Sequence, residues 1–416
     1  MASIIDRLVG PSIERYLSRY SSKLGLTQTN SGAWVGSDTP FELVAIRSAI
    51  NVLAQDVATL PLKLYKRKAK SRTDFPDHPL YHCLRTAPNP RQTAFEMREL
   101  MMVSLLTWGN AFCYKQHDDQ GRVEALWPIR PDRMLVTINE AGQLVYRYEP
   151  ADADLEPQDF TPAQILHVKG LSSDGVVGRP PLHDFREKFG EIAAAERFTQ
   201  SFYGNGMKRS GVLKHNERLS DEAFDRLKTS VDALRGSEKA FSVLILEEGM
   251  DFSELTFAPE DAQLLDSRRF SVEDACRIFN LPPYKLRINT PGSVSYASID
   301  AQQVDYLVSS LTPWLVRIEQ AIDRSCLSDA ERKAGIFVEH NTRAMLRSDL
   351  KSQAEALEIG VKNQWYSRND AREFLGENPV DDPRMDDYFA PSFIQTTSDT
   401  SGDVAPQPAG STAPAG

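Results

Sequence analysis

Several features of common membrane and secreted proteins are missing from this chain of 416 residues. No stretch approaches 18 consecutive apolar residues, so we predict no membrane-spanning helix. The first twenty residues contain an early acid, Asp6, and no continuous apolar segment. We therefore expect no secretion signal at this end.

The motifs of nucleotide-binding and hydrolytic enzymes are absent as well. The dipeptide Gly-Lys does not occur, which removes the phosphate-binding P-loop, and neither Gly-x-Ser-x-Gly nor His-Glu-x-x-His is present. The glycine-rich stretch from Gly204 to Gly211 follows a predicted helix and opens none, so we interpret it as a helix end. The sequence predicts no catalytic residues, no cofactor and no enzymatic activity.

Metal-ligand patterns are weak. His78, His82 and Cys83 have metal-like spacing, but no further ligands accompany them. The acidic stretches at 260–266 and 380–389 are typical of a solvated helix start and a solvated loop. We predict no metal site.

Basic residues are fewer than acidic ones. The chain has 48 basic and 58 acidic residues, a net charge of −10, which argues against a tight binder of nucleic-acid phosphates. An acidic wall would still allow DNA to slide past it. The four cysteines lack C-x-x-C spacing, and we expect them to be reduced thiols of a protein made in a cytoplasm. They are Cys83, Cys113, Cys276 and Cys326.

What is present indicates an α+β fold. Thr39-Pro40 opens a predicted helix whose apolar residues recur at spacings of three and four, and alternation around Leu62 predicts a strand. Thr93 and Glu96 have capping-box spacing at the start of a helix that runs to Trp108. The short strands that follow predict one meandering antiparallel sheet. The apolar helical positions are Leu43, Ile46, Ile50, Leu53 and Val57.

Two long helices are predicted to enclose a small module. The first covers 182–206, with an apolar stripe, and the second covers 259–284 and stops at Pro282-Pro283. Between them, strands near 212, 241–247 and 252–257 and a helix over 220–234 predict a compact α/β tip on a helical stalk. The first stripe consists of Leu182, Phe185, Phe189, Ile192 and Phe202.

A third long helix is predicted from Asp300 to Leu327, with a kink at Pro313 in its interior. The loop before it is small and polar, without an acid until Asp300. Residues 391–416 are rich in Pro, Gly, Ser and Thr, which predicts a disordered tail. The helix stripe consists of Val304, Leu307, Val308, Leu311, Leu315, Ile318 and Ile322.

Five segments, in order, resemble the portal proteins of long-tailed bacteriophages and related gene transfer agents. They are "HPLYHCLRTAPNPRQTAFEMRELMMVSLLTWGNAFCYK", "LWPIRPDRMLV", "FYGNGMKRSGVLK", "SVSYASIDAQQVDYLVSSLTPWLVRIEQAIDRSCL" and "YSRNDAREFLGENPV". The fourth is the most specific match, with Asp300 where the family commonly has glutamate. The resemblance covers about residues 40–390.

The resemblance implies a portal fold and a ring oligomer. Its parts would be a wing of helices and antiparallel sheet, a two-helix stem, a small α/β clip, a tunnel loop, a kinked long helix and a helical crown. The implied boundaries are an arm at 1–29, the wing at 30–182 and 299–346, the stem at 183–207 and 259–285, the clip at 208–258, the tunnel loop at 286–298, the crown at 347–390 and a tail at 391–416.

The implied function is a head-to-tail connector, usually a ring of twelve subunits at one capsid vertex. Its channel would pass double-stranded DNA, packaged by the terminase and later ejected. Implied partners are copies of itself, the major capsid protein, the large terminase subunit, a head-tail adaptor and weakly bound DNA, with no membrane. The particle would be assembled in the bacterial host cytoplasm and the protein retained in the virion.

Two sets of site residues follow from this resemblance. Polar residues of the loop would touch the DNA backbone, and clip cations would contact the motor or adaptor. The loop set is Arg287, Asn289, Thr290, Ser293, Ser295 and Tyr296. The clip set is Lys214, His215, Arg218, Arg226, Lys228 and Arg235.

Two alternatives remain. The chain would be another structural or adaptor protein of a phage particle, or, more remotely, a metal-dependent nuclease that uses Asp381 and Asp382. Density at a single vertex would separate a portal from the first alternative. Metal-dependent DNA cleavage would support the second.

Overall fold

The computed structural model describes most of the chain. The described residues are 27–68, 71–139, 141–152, 154–204, 211–214, 222, 224–226, 228–229, 251–254, 271–287, 299–342, 345, 350–375 and 377–388. The chain divides into two compact units, Met1–Ala344 and Met345–Gly416. We describe each unit by itself.

Helices and strands alternate along the first unit. The helices are α1 (Thr39–Glu42), α2 (Val44–Thr59), α3 (Pro79–Arg85), α4 (Ala94–Trp108), α5 (Pro181–Asp184), α6 (Arg186–Gly204), α7 (271–279), α8 (Ile299–Asp305), α9 (Thr312–Cys326) and α10 (Asp329–Lys333), with α11 (Leu350–Lys362) and α12 (Arg368–Leu375) in the second unit. The strands are β1 (Thr27–Gln28), β2 (Trp34–Val35), β3 (Leu62–Lys68), β4 (Ser71–Asp74), β5 (Asn110–His117), β6 (Val123–Ile129), β7 (Met134–Ile138), β8 (Leu144–Tyr148), β9 (Gln158–Phe160), β10 (Ile165–Lys169), β11 (Gly211–Lys214), β12 (Asp251–Glu254) and β13 (Ile336–His340).

The core of the first unit is built on α2 and α4, which pack against each other. The predicted apolar row of α2 is buried, and the Thr93–Glu96 capping box at the start of α4 is confirmed. The single helix predicted from Pro40 is wrong. Leu43 is extended and closes the short α1 by donating its N–H to the Thr39 carbonyl, so α2 begins at Val44.

Arg98 of α4 is a buried cation without a carboxylate beside it among the described residues. Its guanidinium donates to the Ala58 carbonyl at the end of α2 and to the Leu84 carbonyl at the end of α3. Burial lowers the pKa of this side chain to about 10. The carbonyls at helix ends lack intrahelical partners and carry partial negative charge, so Arg98 satisfies both ends at once.

The single meandering sheet predicted for this region is also wrong. The strands form two antiparallel three-stranded sheets, ordered β10-β5-β6 and β7-β8-β9. After β6 the chain enters a 3-10 turn at Pro131–Arg133, where proline fixes the backbone and has no N–H to continue the ladder. Their shared core consists of Phe112, Met134, Val136, Tyr146, Ile165 and Val177.

The turn between α4 and β5 packs closely against residues 178–180. Gly109 has φ of 68°, and a Cβ placed there would lie 2.0 Å from the Arg179 carbonyl oxygen. The Asn110 side chain accepts the Gly178 N–H at 2.7 Å and bonds to half-buried His167. Burial lowers the pKa of His167 to about 3, so the ring stays neutral. The Gly-Asn pair therefore allows three chain segments to meet.

A third sheet, ordered β13-β3-β4, joins residues far apart in the sequence. It confirms the strand predicted around Leu62. One side is covered by the buried residues Leu315, Ile318 and Ile322 of α9, which contacts β13.

The single helix predicted over 182–206 is divided at Phe185 into α5 and α6, and its apolar stripe is only partly buried. Leu182, Phe189 and Ile192 are buried, whereas Phe185 is 39% exposed and the side chain of Phe202 lies outside the described part. Gly190 allows close contact with Thr29, since a Cβ there would lie 2.3 Å from its hydroxyl oxygen. The helix thus packs on the β1–β2 hairpin over part of its length.

The second unit consists chiefly of α11 and α12. Ser367 and Asp370 exchange capping hydrogen bonds at the start of α12. Asn369, which is buried, bonds to Val380 in both directions and donates to Asp386 at 2.8 Å. This single amide holds the following loop against the helix.

The four cysteines are free and buried. Among the described residues no helix is long and apolar enough to cross a membrane.

Candidate functional site

The predicted loop residues fall mostly outside the described part of the chain. Asn289, Thr290, Ser293, Ser295 and Tyr296 all lie within 288–298. Arg287 is described: it is exposed, with φ of 58°, and it ends the 3-10 helix Pro283–Leu286. The structure therefore defines the base of this loop, where the chain leaves the core at 280–287 and returns at 299–312.

The segment leading into the loop begins at Asn280. It ends α7 with φ of 51°, a left-handed conformation that asparagine tolerates, and Leu281 donates its N–H back to Cys276. Pro282 and Pro283 follow and start the 3-10 helix. The stop predicted at this proline pair is confirmed.

The returning segment is not the continuous kinked α-helix that was predicted. Tyr306–Leu311 form a π-helix between α8 and α9, and Thr312 donates its N–H to Leu307, five residues back. Pro313 therefore lies in the first turn of α9, directly after the π-helix. The wide turn lies immediately before the position at which an interior kink was predicted.

Asn280 and the returning helix are joined by reciprocal hydrogen bonds. In an α-helix the Ser309 carbonyl would accept the N–H of residue 313, and proline has none. Asn280 Nδ2 donates to that carbonyl at 2.9 Å, and Ser310 Oγ donates to the Asn280 carbonyl at 2.6 Å. The group that proline leaves free is thus satisfied from the segment entering the loop.

A second bridge lies closer to the loop. Tyr284, in the 3-10 helix, donates its hydroxyl to the Gln302 carbonyl of α8 at 2.7 Å. Burial raises the pKa of Tyr284, which keeps the hydroxyl protonated as a donor. Both ends of the loop are therefore tied to one another.

Asp56 of α2 ties both ends to the core. Its Oδ2 accepts the Tyr306 hydroxyl at 2.8 Å and lies 3.2 Å from Lys285 Nζ. Lys285 Nζ also lies 4.1 Å from the centroid of the Tyr306 ring, within cation–π range. We call Asp56, Lys285 and Tyr306 the loop-base triad.

Tyr306 is the central member of this triad and is fully buried. Burial first, and then the Asp56 carboxylate, raise its pKa above the ordinary value. The phenol therefore remains a donor. The half-buried Asp56 carboxylate in turn accepts from the Tyr306 hydroxyl and pairs with the Lys285 ammonium group. Its negative charge is therefore both hydrogen-bonded and ion-paired.

Sequence reasoning missed Asp56, Asn280, Tyr284, Lys285 and Tyr306. One local signal existed: Pro313 follows Ser309 by four residues, which leaves a carbonyl in need of a donor. No local pattern pointed to Asp56, because it lies about 250 residues from Tyr306 in the chain.

The predicted apolar stripe of the returning helix is divided. Leu307, Leu311, Leu315, Ile318 and Ile322 are buried, but Val304 is 47% and Val308 63% exposed. The π-helix turns these valines away from the core. Together with exposed Thr312 and Val316 they form a row at four-residue spacing, which we call the outer valine row.

The segment predicted to form the clip, 208–258, is described only in part. β11 and β12 pair antiparallel, with Lys214 opposite Asp251. Arg226 and Lys228 are exposed on the described helical residues, whereas His215, Arg218 and Arg235 lie outside the described part. The structure does not bring this set together, and its role stays a prediction.

The weak metal-like patterns have structural roles. His78 Nδ1 accepts the Leu80 N–H at the start of α3, and its Nε2 lies 2.9 Å from Glu331. Cys83 Sγ lies 2.6 Å from the Glu124 carbonyl oxygen, and Asp382 caps the 3-10 helix Pro383–Met385. Over the described residues, no group of three or more His, Cys, Asp or Glu is placed to hold a metal.

The comparisons with known proteins agree on one family. The family model "Phage portal protein" matches residues 44–376. The portal protein of Enterobacteria phage HK97 is 28% identical over 324 residues, covering 77% of this chain and 75% of that protein.

Two solved structures share the fold. A portal protein of the HK97 family from Corynebacterium diphtheriae has a TM-score of 0.57 at 17% identity, covering 78% of this chain and 99% of that chain. A chain in the neck of a native gene transfer agent particle, computed with C12 symmetry, has a TM-score of 0.51 at 20% identity, covering 82% and 92%. Since the family model spans well over half of the sequence, with a loop-bearing α+β core that matches solved portals, the chain is a member of the phage portal protein family.

Proposed function

We propose that twelve copies of this chain form a ring at the unique capsid vertex and that the loop 286–298 faces its central channel. Double-stranded DNA passes this loop when the terminase packages it and again at ejection. The subunit serves as a passive conduit, and we assign it no catalytic step.

The observation that carries this proposal is the loop base. The chain enters and leaves the loop through segments joined by Tyr284–Gln302 and Asn280–Ser309, and Asp56 fixes both to α2. A loop that DNA displaces repeatedly needs a base that stays in place, so that movement remains local. Polar loop residues would then meet the DNA backbone weakly, without the tight phosphate neutralisation of a DNA binder.

The outer valine row supports a ring. Val304 and Val308 are large aliphatic side chains on a helix that already buries its other face. Exposed apolar residues that recur on one helix face are typical of a surface covered by another chain. A neighbouring subunit in a closed ring would provide that cover, consistent with the C12 symmetry of the gene transfer agent neck.

Further partners follow from the same proposal. The clip, with Arg226 and Lys228 exposed, would contact the large terminase subunit and later a head-tail adaptor. The ring's outer surface would contact the major capsid protein. The protein would be assembled in the host cytoplasm and remain in the virion.

Electron microscopy of purified protein and of particles tests this proposal. We expect closed rings of twelve and density at one capsid vertex. Replacing residues 289–296 by a short glycine linker should leave the rings intact and abolish DNA packaging or retention. Density over the whole shell, or beneath a separate portal ring, would instead assign the chain to another structural role.

A further inference from the structure

Positive charge is concentrated in the β3–β4 hairpin. The ten residues from Lys63 to Arg72 contain six cations and no acid, in a chain whose net charge is −10. Ala69 and Lys70 lie outside the described residues, whereas the two strands are described and paired in antiparallel register. Neither the loop nor the clip explains this cluster.

Two of these cations face each other directly. Arg67 and Arg72 are cross-strand partners, and like charges in that position oppose pairing. Each guanidinium lies over an aromatic ring: Arg67 at 5.5 Å from the Phe337 centroid and Arg72 at 4.8 Å from the Tyr65 centroid. The sheet thus holds two like charges side by side, each in contact with an aromatic ring.

The positive charge is partly neutralised, but unevenly. Lys63 pairs with Asp74 and Arg72 pairs with Glu339. Among the described residues no carboxylate lies within ion-pair distance of Lys66 or Arg67, and Lys66 Nζ lies 5.3 Å from the centroid of the Phe75 ring. Among the described side chains of the hairpin, the uncompensated charge is therefore that of Lys66 and Arg67.

The surroundings indicate the kind of partner. No large apolar side chain is exposed among the described residues from 62 to 77. A protein partner usually requires aromatic or aliphatic side chains at the centre of the contact, whereas a nucleic-acid backbone requires cations alone. We propose that Lys66 and Arg67 of β3, with Arg72 opposite them on β4, bind the phosphate backbone of double-stranded DNA without sequence preference, at a site separate from the proposed channel loop.

A plainer role for these charges is protection of an edge. β4 lies at the edge of the described sheet, and charged edge strands prevent sheets from pairing between molecules. That role predicts aggregation when the charges are removed and no change in DNA binding. The two roles therefore differ in measurable outcome.

The test uses the full-length protein and a fluorescent duplex of about 30 base pairs, with anisotropy read from 50 to 200 mM NaCl. The variant carries Lys66→Gln and Arg67→Gln. A matched control carries Arg130→Gln and Arg147→Gln, which remove equal charge from cations paired with Asp132 and Asp159. The hairpin variant should bind about tenfold more weakly at 50 mM NaCl, with a log–log salt slope reduced by about 2.

Three results would overturn the proposal: unchanged affinity and slope, an equal loss in the control, or aggregation without loss of DNA binding. Displacement of the duplex by polyglutamate at equal charge would also overturn it and assign the hairpin to an acidic protein. Binding is measured whether or not rings form. If no rings form but DNA binding still depends on the hairpin, only the proposed function is rejected. If rings form but DNA binding does not depend on the hairpin, only the hairpin site is rejected.

Discussion

The Tyr306 hydroxyl donates to the Asp56 carboxylate at 2.8 Å and so joins the π-helix that follows residues 288–298 to α2, near the start of the fold. Lys285, which precedes those residues, lies 3.2 Å from the same carboxylate oxygen. One acidic side chain therefore contacts both segments that flank residues 288–298.

Removing this hydroxyl should weaken the fold. We expect Tyr306→Phe to lower the free energy of unfolding by about 1–3 kcal/mol, because the Asp56 oxygen loses a buried donor. Urea unfolding at one protein concentration measures the change. Tyr148→Phe, whose hydroxyl has no hydrogen-bond partner among the described residues, should change it by a few tenths at most. Equal effects would show that Asp56 does not hold the loop base.

Asn280 should separate backbone shape from side-chain bonding. Asn280→Gly keeps the left-handed backbone but loses the donor to Ser309, which should cost about 1 kcal/mol. Asn280→Ala also opposes the left-handed conformation and should cost about 1 kcal/mol more. Thermal unfolding of both variants measures the difference. If glycine were as stable as the original asparagine, the bond to Ser309 would contribute nothing.

Gly109 should tolerate no side chain. Gly109→Ala would place Cβ 2.0 Å from the Arg179 carbonyl oxygen in a left-handed conformation, so we expect loss of soluble, folded protein. Gly121→Ala is the matched control: its φ is +77° but nothing lies within 4 Å of the added carbon. It should cost only about 1 kcal/mol. Soluble yield and circular dichroism compare the two, and similar behaviour would contradict the close packing at Gly109.

The outer valine row should control assembly. Val308→Asp should reduce twelve-subunit rings to smaller species, because a carboxylate would be buried against the neighbouring subunit. Mass photometry measures the distribution. Val44→Asp, at a residue 70% exposed on α2, should leave rings intact. The reverse result would place the subunit interface at α2.

Stability should respond to pH through Asp323. Burial, partly offset by the Val338 N–H, raises the pKa of this carboxyl to about 6. A raised pKa means that the folded state favours the protonated form. The wild type should therefore lose stability as pH rises from about 4 through 6.

Asp323→Asn keeps an acceptor for Val338 and carries no charge. The free energy of unfolding of this variant should equal that of the wild type at pH 4 and exceed it by on the order of 1 kcal/mol at pH 8. The difference should be smaller than the shift in pKa alone would give, because the side chain is only part-buried. Urea unfolding at both pH values measures it. Asp159→Asn should show the opposite sign, since Arg147 lowers the pKa of Asp159. A constant difference across pH would contradict the assignment.

Much of the local structure could be predicted from neighbouring residues. The Thr93–Glu96 cap, the spacing of Ile46, Ile50 and Leu53, and the stop at Pro282 all depend on interactions within a few residues. The order of five segments pointed to the portal family, and the family model agrees with it.

Other features depended on contacts between distant segments. A strand's partner is chosen by which surfaces meet, so the division of one predicted sheet into two was not visible in alternation alone. Periodicity also placed Val304 and Val308 with the buried stripe, because a pattern cannot reveal an extra residue in a helical turn. The proline at 313 was evident in the sequence, but only the tertiary structure supplied Asn280 as the donor for the carbonyl it leaves free, and Asp56 as the acceptor that holds the loop.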